Sequence, residues 1–514
     1  MDEKFFNRLR AVGAPVFDHE GRVDAAINIP VFGSTVSREE LIEHYVPLLL
    51  ETAAKIAAAR WCPAGLRRRS VEDRPATKDI KTITKEEHVK FIVSPSTLKG
   101  TITIPGSKSN TTRAVFIATL AWGESVIRNP LTSADCFSTA DVCRGLGASV
   151  TTGKEWVVRG VGSRPPVPAD VLNAGNSGTT YYVITAAATL IDGFTVITGD
   201  HQIRRRPAGP LITALNDLGA FVFSTRGGGV APLVARGIQR GGKALLPGVN
   251  SQWLSPLLIT CPLADGDATI TIDDLQERPY IDMTLGWLSR QHIEFSREGY
   301  KRFSIKGGQS YHPFDETIPS DWESATFPLV AAAITDSEVT LMGLDTEDYQ
   351  GDKAIIAILK EMGADIRVLD KGKGGITVKG GKELHGIEID CGDIPDAPPI
   401  LAVLGARARG KTVLRNLAAS RLKETDRSQS IYEELLKMGA RIEIDSDSLT
   451  IYQSDLKATR IDGRTDHRIV MATCVAALVA KGKTEVSDAE YYKISFPNFY
   501  ELMTSIGTEM ELAD

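Results

Sequence analysis

The chain has 514 residues, 42% hydrophobic and 24% charged, with a formal net charge of −6. That length is more than one ordinary core needs, so two or three domains are expected. The acidic balance speaks against a general nucleic-acid binder, the lack of a run of about 18 apolar residues speaks against a transmembrane helix, and the polar start Met1-Asp2-Glu3-Lys4 is not a signal peptide.

From the N-terminus, Pro15–Pro30 reads as a hairpin around His19-Glu20-Gly21. Ser37–Arg60 follows as an amphipathic helix, opened by Ser37 with Glu40 three residues on in the manner of a capping box. This fragment is too small to hold a core of its own, so it must dock on the main body or pair with another copy. Residues 61–86, with Arg67-Arg68-Arg69, lack periodicity and read as a linker. The six cysteines (Cys62, Cys136, Cys143, Cys261, Cys391, Cys474) form no Cys-x-x-Cys pair. Neither structural zinc nor a disulfide framework is expected, and a cytoplasmic protein is.

Beyond the linker one pattern recurs: an amphipathic helix, a Gly-Ala stop, then a strand. It appears at Gly147-Ala148, Gly219-Ala220, Gly363-Ala364 and Gly439-Ala440, with weaker copies at Gln291-His292 and Gly507-Thr508. Successive stops lie 72, 72, 72, 76 and 68 residues apart. Glycine just past a helix is a natural C-cap. A period near 70 is too long for a solenoid and suits a six-element βαββαβ unit used six times. Strands are expected at Ser125–Arg128, Thr195–Thr198, Ala268–Ile272, Glu338–Leu341 and Lys411–Arg415. Buried helices are expected at Tyr182–Leu190, Phe327–Ile334, Ile400–Ala408 and Ile469–Ala480.

The polar residues that carry chemistry sit where such helices begin. Ile104-Pro105-Gly106-Ser107-Lys108-Ser109 ends a strand, turns, and opens a helix that also carries Arg113. A helix N-terminus has unpaired N–H groups and the positive dipole end, so added cations there suit an anionic ligand. Gly175-Asn176-Ser177-Gly178-Thr179-Thr180 opens another helix, its glycines permitting close backbone approach. Arg204-Arg205-Arg206-Pro207 presents guanidinium groups that recognise carboxylate or phosphate. In Lys423-Glu424-Thr425-Asp426-Arg427 the two cations share a helix face beside Glu424. Asp466-His467-Arg468, Asp396 and Asp321 precede further apolar helices, with His467 read as an orienting residue. If each of two domains directs three such helix ends into one cleft, the cleft attracts anions strongly. Capped surface helices with solvated charges fit each stretch taken singly.

Taken in order, these motifs resemble the 5-enolpyruvylshikimate-3-phosphate synthase family over residues 88–512. The match runs through Pro105-Gly106-Ser107-Lys108-Ser109, Gly175-Asn176-Ser177-Gly178-Thr179, Arg206-Pro207, Ser251-Gln252, Arg278-Pro279-Tyr280-Ile281-Asp282, Lys306-Gly307-Gly308-Gln309-Ser310-Tyr311, Lys423-Glu424-Thr425-Asp426-Arg427, Asp466-His467-Arg468 and Ser495-Phe496-Pro497. The resemblance implies an α/β (α+β) enolpyruvyl transferase fold of two domains, each of three βαββαβ units: a discontinuous one over 87–105 and 320–514, and a second over 106–319. It implies transfer of the enolpyruvyl group from phosphoenolpyruvate to the 5-hydroxyl of shikimate 3-phosphate, releasing phosphate, as a step of aromatic amino acid biosynthesis. It implies no metal, no organic cofactor, and no nucleic-acid or membrane partner.

By the same resemblance Lys108, Asn176, Gly178, Arg206, Gln252, Arg427, Arg468 and Lys493 hold phosphoenolpyruvate. Lys108, Ser109, Arg113, Asn250, Ser251, Gln252, Tyr280, Asp396 and Lys423 hold shikimate 3-phosphate. Asp396 accepts the hydroxyl proton, and Glu424 and Lys108 handle protons at the methylene carbon. The sequence departs from the family pattern at Tyr182 (commonly Arg), Glu277 (usually a serine that ligates the substrate phosphate), Asn250 (usually Ser) and Ala419 (usually Asn), and Lys493 is displaced by one residue. These departures leave open a paralogous transferase with another hydroxylated acceptor, and a non-catalytic ligand sensor, although the intact Lys108, Asp396 and Glu424 speak against the sensor. Separately, residues 12–60 resemble the end of the effector-binding domain of the IclR family of regulators, through Ala14-Pro15-Val16-Phe17-Asp18, Gly21-Arg22-Val23 and the Leu48-Leu49-Leu50 helix. The helix-turn-helix is absent, so DNA binding does not follow, and residues 1–60 are expected either to dock on the transferase body or to mediate self-association.

Overall fold

The computed structural model describes residues 9–17, 23–32, 89–369 and 374–513. The chain divides into two compact units, Met1–Thr84 and Lys85–Asp514. In the first, strands Leu9–Phe17 and Val23–Phe32 pair antiparallel from Leu9 opposite Phe32 to Phe17 opposite Val23. The hairpin expected over Pro15–Pro30 is therefore present and longer at both ends. The helix expected over Ser37–Arg60 and the linker at 61–86 lie outside the described residues.

The second unit holds six four-stranded sheets. Each contains one parallel pairing and two antiparallel ones, as in Lys99–Thr103 beside Glu338–Met342, with Ile376–Lys379 and Asp365–Val368 following. Along the chain the helices are separated alternately by three strands and by one. The βαββαβ order expected from the sequence, with two strands between helices, is corrected to βαβαββ. The reason is connectivity: a parallel pairing needs a helical crossover, while antiparallel neighbours need only a turn. All six repeated helix stops take the left-handed backbone conformation, with φ of 95°, 88°, 94°, 82° and 104° at Gly147, Gly219, Gly363, Gly439 and Gly507, and 56° at His292. Only glycine adopts it without steric cost, which is why the period was visible in the sequence.

The sheets and helices gather round two hydrophobic cores. The first lobe draws its core from Phe91–Ile104 and Trp322–Met510, the second from Ala114–Ile318. Three inner helices run through each lobe: Trp322–Ile334, Pro398–Arg407 and His467–Ala477 in the first, Lys108–Leu120, Gly178–Ala187 and Ser251–Thr260 in the second. Every residue of Trp322–Ile334 is buried, and so is every residue but Lys108 in Lys108–Leu120. A helix apolar all round belongs in an interior, and burying each Leu, Val or Phe contributes about 1.5–3 kcal/mol.

The chain passes between the lobes twice, at neighbouring places. Gly106 and Ser320 form an antiparallel bridge, the Ser107 N–H donates to Pro319 O at 2.8 Å, and the Asp321 N–H donates to Pro105 O at 2.9 Å. Gly106 is required by space, because a Cβ there would lie 2.0 Å from Asn129 O. These crossings place the N-termini of Lys108–Leu120 and Trp322–Ile334 side by side. Among the described residues no helix is long and apolar enough to cross a membrane.

Candidate active site

Between the lobes the first turns of the inner helices converge on a cavity of about 40 Å³. Its lining includes Lys108, Ser109, Arg113, Gly178, Thr179, Arg206, Ser251, Gln252 and Tyr280 from the second lobe, and Glu323, Asp396, Lys423, Glu424 and Arg427 from the first. Side-chain caps fix four of these helix ends: Ser107 accepts from the Asn110 N–H, Ser177 from Thr180, Asn250 from Gln252 and Asp466 from Arg468. The remaining first-turn N–H groups face the cavity end of each helix, where anions are favoured.

Arg427 is the hub. Buried at 1% exposure, it pairs through separate nitrogens with Asp396, Glu424 and Asp466, the last at 2.9 Å. Glu424 pairs also with Arg206, which reaches across from the second lobe. Lys423 Nζ lies 2.8 Å from Glu277 Oε1 and 3.7 Å from Asp396 Oδ2. Arg468 pairs with Glu323, and Lys108 Nζ lies 3.4 Å from Asp135 Oδ2. The Tyr280 hydroxyl sits 2.8 Å from Glu323 Oε1 and 3.0 Å from Asp396 Oδ2. Arg113 is held from below: it donates to Thr284 Oγ1 at 2.9 Å and to Ser109 O at 3.0 Å.

Charge neighbours set the protonation states. Burial alone would push the Asp396 carboxyl up, but Lys423, Arg427 and Arg468 outweigh it and hold it below the ordinary carboxylate range. Arg206 and Arg427 do the same for Glu424. Lys108 stays an ammonium: burial lowers its affinity for a proton, but Asp135 and Glu323 raise it further. Burial, with Arg427 and Lys108 nearby, keeps His467 neutral. Asp321 is pushed up to about 7 by burial and by Glu323. Its Oδ1 has no hydrogen-bond partner, while Oδ2 accepts from Ser324 at 2.6 Å.

Two arginine donors in the cluster lack partners, Nε of Arg206 and Nε of Arg468. A buried unpaired donor is costly, so these groups favour an incoming acceptor. Gly178 gives Arg206 its room: a Cβ there would lie 2.2 Å from Arg206 Nη1. Glu424, Asp466 and His467 come close enough to hold a cation, but Glu424 and Asp466 are already engaged by Arg206 and Arg427.

Most of the residues singled out in the sequence meet here. Asn176 serves the cavity indirectly, donating to Asp200 at 2.5 Å and to Gln202 at 2.7 Å. Asn250 caps its helix, and Gln252 donates to Thr179 at 3.1 Å. Lys493 is exposed and lies over the Tyr492 ring at 5.7 Å, away from the cavity lining. Tyr182 is buried, its hydroxyl donating to Pro207 O at 3.0 Å. Sequence reasoning missed Asp135 and Glu323. The available signal was a carboxylate in the first turn of a buried helix, a costly placement unless a partner is near.

The comparisons with known proteins agree with this geometry. The profile of EPSP synthase (3-phosphoshikimate 1-carboxyvinyltransferase) matches residues 92–503, and that of the bacterial transcriptional regulator IclR C-terminal region matches residues 2–58. The 3-phosphoshikimate 1-carboxyvinyltransferase of Acetivibrio thermocellus is 46% identical over 423 residues, covering 82% of this chain and 99% of that protein. The one from Methanocella arvoryzae is 43% identical over 423 residues, with the same coverage of 82% and 99%. The structure of EPSP synthase from Acinetobacter baumannii superposes with a TM-score of 0.72 at 29% identity, covering 83% of this chain and 100% of that one. With a family profile spanning most of its length and relatives above two-fifths identity, the chain belongs to the EPSP synthase family.

Proposed function

We infer that the chain transfers the enolpyruvyl group of phosphoenolpyruvate to the 5-hydroxyl of shikimate 3-phosphate and releases phosphate. The observation that carries the reading is Arg427 holding Asp396 and Glu424 together on a cavity lined by cations from both lobes. Both substrates carry a phosphate and a carboxylate, so each can exchange places with a protein carboxylate now paired to Arg206, Lys423, Arg427 or Arg468.

We assign the steps as follows. In the addition step Asp396 takes the proton of the 5-hydroxyl as its oxygen bonds to C2 of phosphoenolpyruvate, and C3 gains a proton to become a methyl group. In the elimination step C3 returns a proton, the double bond re-forms, and the C2–oxygen bond to phosphate breaks. Glu424 and Lys108 are the groups assigned to the C3 proton. As substrate anions draw Arg206 and Arg427 away, the Glu424 carboxyl loses the cations that hold it ionised, and its proton affinity rises toward that of a donor. Tyr280 and Arg113 position the acceptor, with Ser109, Ser251 and Gln252 beside them. Gly178, Arg206 and Arg468 serve phosphoenolpyruvate. Asn176, Asn250 and Lys493 are assigned to the same two substrates by resemblance, Asn176 and Asn250 acting through the helix ends they order.

The domain boundaries we propose are 105/106 and 319/320, the two places where the chain crosses between lobes. We place the enzyme in the cytoplasm. Phosphate release with phosphoenolpyruvate and shikimate 3-phosphate, together with the mass of the organic product, tests the function. Release only with another hydroxylated acid would assign a different acceptor.

A further inference from the structure

Glu277 is a buried carboxylate in the cleft that the proton transfers leave unused. It precedes the helix Arg278–Arg290 in a left-handed backbone conformation, φ 56° and ψ 35°, and makes no side-chain cap to that helix. A residue with a Cβ holds such a conformation only where its surroundings impose it. Here the Glu277 N–H donates to Gly392 O of the other lobe at 2.8 Å. The carboxylate is 1% exposed. One oxygen accepts from the Ser251 N–H and hydroxyl, both at 2.6 Å, and the other from Lys423 Nζ at 2.8 Å.

A helix-terminal N–H, a hydroxyl and a buried ammonium make an anion cradle, and Glu277 already fills it with an anion of the protein's own. Lys423 also stands 3.7 Å from Asp396 Oδ2, so the cradle adjoins the proposed proton acceptor. Lys423 is thus already matched by two carboxylates, and an incoming anion reaches Ser251 and Lys423 only by displacing Glu277. Lys423 and Glu277 come from different lobes, so their ion pair also ties the lobes together.

We propose that Glu277 is a specificity-determining residue: its carboxylate competes with the acceptor's anionic group for Ser251 and Lys423, and so disfavours an acceptor phosphate relative to a hydroxyl at that position. The proposal rests on the enolpyruvyl-transfer reading, because it takes the acceptor to lie beside Asp396. Calorimetric titration of the full chain with shikimate 3-phosphate and with shikimate tests it. The proteins are wild type, Glu277→Gln, Glu277→Ser and the charge-keeping Glu277→Asp. The ratio of affinities, phosphorylated over unphosphorylated, should rise at least tenfold in Glu277→Gln and Glu277→Ser and stay within threefold of wild type in Glu277→Asp. A ratio unchanged in the two neutral variants, or shifted toward shikimate, overturns the proposal. Phosphate release from phosphoenolpyruvate by the same proteins reports separately on the transfer reaction. Its failure alongside the expected affinity pattern would count against that reaction and not against the role of Glu277.

Discussion

Arg206 and Glu424 meet across the cleft as a buried ion pair, 5% and 8% exposed, one from each lobe. Removing one partner leaves the other charged and buried, at a cost of about 3–5 kcal/mol. Glu424→Ala should therefore lower the urea midpoint clearly, and Glu424→Gln less, since the amide still accepts a hydrogen bond. Equal midpoints for Glu424→Ala and wild type would show that the pair does not hold the lobes.

Lys108 and Arg427 are assigned to the reacting end of phosphoenolpyruvate. Lys108→Ala and Arg427→Ala should each lower turnover roughly a hundredfold or more, the equivalent of several kcal/mol of transition-state stabilisation. Near-normal turnover in either variant would remove that residue from the mechanism.

Asp396→Asn and Glu424→Gln keep shape and remove a proton acceptor. They should bind both substrates and lose turnover. If binding is lost as well in a folded protein, the two carboxylates position substrate and do not move protons.

The Asp321 carboxyl, raised to about 7 by burial and by Glu323, binds its proton more tightly in the folded protein than in the unfolded one. Its protonated form is stable in the fold, so stability declines as pH rises from the ordinary carboxylate range through about 7. Asp321→Asn removes this dependence and should raise the melting temperature relative to wild type by more at pH 8 than at pH 5. The reverse order would mean that Asp321 is ionised in the folded protein.

Every residue assigned to the chemistry lies beyond Gly100, within the compact unit Lys85–Asp514. Deleting residues 1–86 should leave most of the turnover intact. We propose that residues 1–60 mediate self-association, so the deletion should also lower the mass in solution. A folded, truncated protein with almost no activity would instead mean that the segment completes or gates the site.

How much was legible beforehand follows from the range of the forces involved. The helix starts near Ser107, Ser177 and Asp466, the strands near Lys411–Arg415 and Glu338–Met342, and the spacing of the six stops were readable, because backbone preferences and capping act within a few residues. The repeat count and the anion-seeking helix ends followed from those local rules. Strand order did not, since a parallel partner can come from far along the chain, as Lys99–Thr103 does for Glu338–Met342. Nor did the pairing of charges. Arg206 finds Glu424 218 positions away, Glu277 finds Lys423 across 146, and Tyr280 meets Asp396 across 116. Asp135 and Glu323 escaped notice, and Lys493 reads as a site residue yet lies exposed over Tyr492. Which groups stand at the ends of buried helices was legible in the chain alone, because that depends on neighbouring residues. Which carboxylate each cation holds emerges only in the folded protein, because in a buried cleft the partner is set by the packing of two lobes.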